Sequence, residues 1–72
     1  MKVTYDPEAD AVRISLRNAS VDSSDELREG IIVDYDAAGE IVAFEILDAS
    51  ERLDEPDAIH FGILREAATT PA

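Results

Sequence analysis

A chain of 72 residues makes one domain and, at that size, buries only about 60% of the surface its unfolded form exposes. It has no cysteine, which excludes disulfides and thiolate metal sites and leaves a small core or a partner chain to supply stability. Six Lys and Arg against 17 Asp and Glu give a net charge of −11, spread along the chain rather than gathered in a tail, and direct nucleic-acid binding is not expected because phosphate contact needs clustered cations.

In chain order, residues 2–6 alternate, with Val3 and Tyr5 on one side, and predict a strand. Asp6-Pro7-Glu8-Ala9-Asp10 follows as a turn, since Pro presets φ and the acids favour water. Residues 11–17 give the cleanest period of two, with Val12, Ile14 and Leu16 inward and Arg13, Ser15 and Arg17 outward. Residues 21–27 are polar and weakly patterned and read as an edge strand, irregular in part.

The central feature is a hairpin of residues 31–35 and 41–47 around Asp36-Ala37-Ala38-Gly39. Asp suits the start of a type I turn, and Gly39 can take positive φ at its end. This turn predicts Asp36 opposite Glu40, Asp34 opposite Val42 and Ile32 opposite Phe44. One face would then carry Ile32, Val42, Phe44 and Ile46. The other would carry Ile31, Val33, Tyr35, Ile41 and Leu47, diluted by Ala43 and Glu45. Both faces look largely apolar, so both are expected to be covered, by a helix, a second copy or another protein.

Asp48 with Glu51 has capping-box spacing and predicts a short helix from Ala49 to about Leu53. After Pro56, the residues Ile59, Ile63, Leu64, Ala67 and Ala68 fall on one helical face, whereas Ile59, Phe61 and Ile63 alternate as in a strand; helix is the favoured reading of 57–68. The fold expected is α+β: a small antiparallel β-meander of four to five strands with one or two C-terminal helices. A single domain over 1–68 and a flexible end over 69–72 are expected. With no long apolar run and no leader pattern, a soluble cytoplasmic protein without membrane contact is expected.

Candidate chemistry is sparse. Asp6, Glu8 and Asp10 have the alternate spacing that opens a calcium loop, but Ala11 and Arg17 stand where such a loop needs Gly and Glu. Asp34 and Asp36 could form an acid–base pair if their environments differed; the wet rim of the sheet is the simpler expectation for both. His60 is the sole histidine, with no cysteine or second histidine to join it, and the three glycines are isolated rather than forming a phosphate loop. No cofactor, no metal and no enzymatic activity are expected.

The stretches VTYDPEADAVRISL (3–16) and GIIVDYDAAGEIVAFEILDASERL (30–53) resemble a widespread family of small prokaryotic proteins, domain of unknown function 2283. They cover about half the chain, in the family's order. Ala43 departs from it, standing where glycine is usual, and the tail from Glu55 follows no family pattern. The resemblance implies a small β-rich fold with a helix and no established activity. Some members look like the antidote partner of a small toxin.

Taken together, the chain is expected to be an acidic, non-catalytic interaction module, a homodimer closed by Ile31, Val33, Tyr35, Ile41, Leu47, Ile59, Phe61 and Ile63. The alternative is an antitoxin-like subunit that masks a small basic protein with its acidic surface and the segment 57–68.

Overall fold

The computed structural model describes residues 1–64. Five strands, β1 (Lys2–Asp6), β2 (Ala11–Ser15), β3 (Ser23–Arg28), β4 (Ile31–Tyr35) and β5 (Ile41–Leu47), form one antiparallel sheet, and one short helix, α1 (Ala49–Arg52), follows. The strand order is β1-β2-β5-β4-β3. This corrects the expected meander: β2 pairs with β5, not with β3, which makes β2 to β5 a Greek key. The cause lies in the side chains. Val12 and Ile14 of β2 find Ile46 and Phe44 opposite them in β5, whereas β3 (SSDELR) is exposed at every position and suits only an edge. Residues 16–22 carry the chain past two strands. They are pinned where Leu16 N–H donates to the Val42 carbonyl at 2.8 Å and Asp22 N–H donates to that of Tyr35 at 2.7 Å.

The central turn forms as its residues predict. Gly39 N–H donates to the Asp36 carbonyl at 3.0 Å, Gly39 has φ +84°, and Asp36 N–H donates to the Glu40 carbonyl at 2.9 Å. Asp36 Oδ1 also accepts the Ala38 and Glu40 amides, each at 2.9 Å. Beyond the turn the register departs from the expectation. Tyr35 pairs with Ile41 and Asp34 with Ala43, so Val42 has no counterpart in β4. Every later pairing is displaced by one, with Val33 opposite Phe44, Ile32 opposite Glu45 and Ile31 opposite Ile46.

That extra residue sorts the side chains. One face holds the cross-strand rows Val3–Ile14–Phe44–Val33 and Tyr5–Val12–Ile46–Ile31, with Tyr35 and Ile41 beyond them. The other holds Thr4–Arg13–Glu45–Ile32–Glu26 and Lys2–Ser15–Ala43–Asp34–Ser24. The expectation of two apolar faces is therefore corrected: one face is apolar across β1, β2, β5 and β4, with Asp25 opposite Val33 at the β3 edge, and the other carries Arg13, Asp34 and Glu45.

The helix start is also built differently. Asp48 lies at φ 52° and makes no side-chain cap. Asp10, at φ 53° in the β1–β2 turn, does that work from a distance. Its carbonyl accepts Ala49 N–H at 2.9 Å, and its carboxylate accepts Ser50 N–H at 2.9 Å and Ser50 Oγ–H at 2.7 Å. Tyr5 Oη–H donates to the same carboxylate at 2.9 Å. The Ser50 hydroxyl, more than Tyr5, holds the Asp10 carboxyl below its ordinary value, and the bond to Asp10 raises Tyr5.

The helix favoured over 57–68 does not form within 57–64, which holds neither helix nor strand apart from a turn at Pro56-Asp57; the remainder lies outside the described residues. Gly62 lowers helix propensity by up to about 1 kcal/mol, and Phe61, Ile63 and Leu64 stay exposed, so burial of an apolar face does not offset that. The expected flexible end, 69–72, likewise lies outside the described residues.

Gly30, in the turn joining β3 to β4, has φ +84°. Its carbonyl accepts Leu47 N–H at 2.8 Å, and the Arg52 guanidinium, whose Nε–H donates to the Leu47 carbonyl at 3.0 Å, covers it. A Cβ here would stand 2.6 Å from Arg52 Nη2. Gly30→Ala is expected to cost about 1–2 kcal/mol, from left-handed strain and displacement of Arg52, and to lower the urea midpoint without changing the slope.

Candidate interaction surface

The apolar face is built by four strands and covered by little of the described chain. Val12, Val33 and Val42 are buried, but their larger neighbours Ile14, Ile31, Tyr35, Phe44 and Ile46 are only partly buried. No described helix or strand forms a second layer, because each strand's main contacts are with its neighbours in the sheet. The one cover is the segment from Leu53 to Ile59. It leaves a groove of ≈ 210 Å³ against Val3, Val12, Ile14 and Ile46, lined almost wholly by carbon.

Of the residues expected at an interface, Ile31, Val33 and Tyr35 lie on this face, and Ile41 lies at its end opposite Tyr35. Leu47 pairs with Ala11 and falls on the opposite parity, away from them. Ile59 borders the groove, and Phe61 and Ile63 continue beyond it, exposed. Phe44, Ile46, Val12 and Ile14 also belong to the face and were not among those expected. The alternation of β2 was legible, but its partner strand was not.

The polar face centres on Asp34, which is 1% exposed and not at a wet rim. Asp34 Oδ2 accepts Arg13 Nη1–H at 3.0 Å and Oδ1 accepts Ser24 Oγ–H at 2.5 Å; Arg13 Nη1 also reaches Glu45 Oε2 at 3.3 Å. Burial pushes the Asp34 carboxyl up, but a hydrogen bond shared with Glu45, the Ser24 hydroxyl and the Arg13 charge together hold it below its ordinary value. The same bond to Asp34, then burial, raises Glu45. Asp36 does not join this pair. It binds Arg17 Nη2–H at 2.6 Å, and that bond, with the turn amides, lowers it.

Three of the carboxylates that invited a catalytic or metal-binding reading thus have their oxygens engaged: Asp10 by Tyr5 and Ser50, Asp34 by Arg13 and Ser24, Asp36 by Arg17 and the turn. Among the described residues, no three His, Asp or Glu side chains converge as a metal site would require, and no helix is long and apolar enough to cross a membrane. His60 is exposed, with Nε2 3.9 Å from Glu55.

A family model described as protein of unknown function (DUF2283) matches residues 2–50. No curated protein and no solved structure matches.

Proposed function

The chain belongs to the DUF2283 family, and from that premise we propose that it is a self-associating, non-catalytic interaction module of the cytoplasm, a dimer closed across the apolar face of its sheet. One observation carries the reading: two rows of apolar side chains, each running over β1, β2, β5 and β4, lie on one face of a single-layer sheet, with only Leu53–Ile59 of the described chain over them. Monomeric proteins seldom leave a contiguous apolar patch of more than a few hundred Å² in water. A second copy offers the same patch, as a twofold interface requires. Sedimentation equilibrium at micromolar concentration is expected to show a dimer. A monomer that binds no hydrophobic dye would remove the reading.

The net charge of −11 supports a second reading, in which the partner is a small basic protein masked as an antitoxin masks its toxin. Salt separates the two. Two copies of an acidic chain repel, so self-association should tighten when salt rises from about 20 mM to about 500 mM and screening sets in. Capture of a basic partner should weaken over the same range. A short neighbouring reading frame for a basic protein, followed by co-purification, tests the second reading directly.

A further inference from the structure

We infer that the segment from His60 to Leu64 is an exchanged arm that leaves its own sheet at Ile59, each copy laying it on the apolar face of the other, with Phe61 seated in the partner's groove. The inference rests on the self-association proposed above and names the element that completes it. Three observations carry it.

The first is that the arm's apolar side chains are exposed. Phe61, Ile63 and Leu64 are 74%, 68% and 98% exposed. These side chains offer roughly 500 Å² per copy, so exchanging two arms would take about 1,000 Å² from the arms alone, about the least a specific interface needs before the groove surfaces they cover are counted.

The second is fit. The groove of ≈ 210 Å³ is lined almost wholly by carbon, and an apolar cavity of about 150 Å³ already admits a benzene ring. Ile59 forms part of the groove's wall. From there to Leu64 the chain makes no turn or bend that would return Phe61 to its own groove. At about 3.3 Å per residue the arm can reach some 16 Å past Ile59, enough to cross a twofold axis.

The third is charge. In a chain with 17 acidic residues, the run from Ala58 to Arg65 contains none. It can approach a second acidic copy without adding carboxylate repulsion. His60 would travel with it toward the one charged residue at the groove, Glu55.

The absence of native cysteine allows a direct test. One variant carries His60→Cys, beside the Phe61 anchor and leaving it in place, a second carries Val3→Cys in the groove wall, and a third carries both. Mixed and oxidised, the first two are expected to form a disulfide-linked heterodimer. In parallel, Phe61→Asp should raise the dimer dissociation constant by at least about 30-fold, as loss of an aromatic anchor does. Its circular dichroism should match the parent, because Phe61 lies outside the sheet. Crosslinking confined within single chains of the third variant would mean that the arm fills its own groove, and would overturn the inference. A dimer that persists in Phe61→Asp, with no crosslink, would overturn the arm exchange and leave self-association standing. A parent protein that stays monomeric, or whose arm engages only an added basic protein, would overturn both.

Discussion

Lysine at position 32 is expected to leave the protein folded, and lysine at position 33 is expected to unfold it. The two residues are adjacent and similar in kind, yet they point to opposite faces. Ile32 lies between Glu26 and Glu45 in neighbouring strands, so an ammonium there gains two carboxylate neighbours and should change stability by no more than about 0.5 kcal/mol. Val33 is 1% exposed and faces Phe44. Lysine there would forfeit about 1.5–3 kcal/mol of burial and leave a charge without a partner, more than about 4 kcal/mol in total. A core of this size supplies only about 3–5 kcal/mol, so Val33→Lys should show no cooperative urea transition by circular dichroism. The reverse ranking would mean that the bulge at Val42 does not exist, because without it Ile32 would be the residue facing Phe44.

That one residue also marks where the sequence stops being legible. The spans 2–6, 31–35 and 41–47 and the Asp36–Gly39 turn could all be read from local chemistry and formed where that chemistry put them, and the polar edge strand expected over 21–27 formed at Ser23–Arg28. Side-chain parity is different, because a single unpaired residue inverts every assignment beyond it. Asp36 faces Glu40 as the turn demands, but Phe44 and Ile46 then change sides and Leu47 leaves the group it was expected to join. A charge argument would have caught this. Only the bulged register places Glu45 and Asp34 on the face where Arg13 can meet them.

The strand order was hidden for a related reason. Short connections favour sequential pairing, and nothing local to β2 says that its apolar partners lie in β5. The cap of α1 was hidden by distance. Asp48 has the local signature, whereas Asp10, which does the capping, is 40 residues from Ser50. That bond gives the family-like stretches at 3–16 and 30–53 a physical meaning. Tyr5 and Asp10 of the first fasten Ser50 of the second, so the resemblance tracks a joint of the fold rather than a reaction centre.

The polar face makes the second large prediction, and its sign depends on pH. Asp34 is depressed in the folded protein, so the stability it contributes is present above its unfolded pKa and is lost as pH falls through its folded one. Glu45 is raised, so its contribution is present below its unfolded pKa and is lost as pH rises through its folded one. The pair is therefore most favourable between these two folded values, with Asp34 ionised and Glu45 protonated beside it. Arg13 is the only cation bonded to either of them among the described residues. Arg13→Met should cost about 1–3 kcal/mol near neutral pH, the range for an enclosed carboxylate that loses its partner, and half-exposure of Arg13 favours the lower end. Without the guanidinium, two carboxylates face each other unneutralised, and a proton is the remaining way to relieve them. The variant should accordingly gain stability as pH falls from neutral through Glu45's folded pKa toward its unfolded one, and by more than the parent gains over that interval. Adding Asp34→Asn to Arg13→Met should remove the excess gain and return part of the loss. Urea midpoints of the three proteins across that range measure this directly. Parallel pH profiles for parent and Arg13→Met would show that the guanidinium sets neither carboxyl.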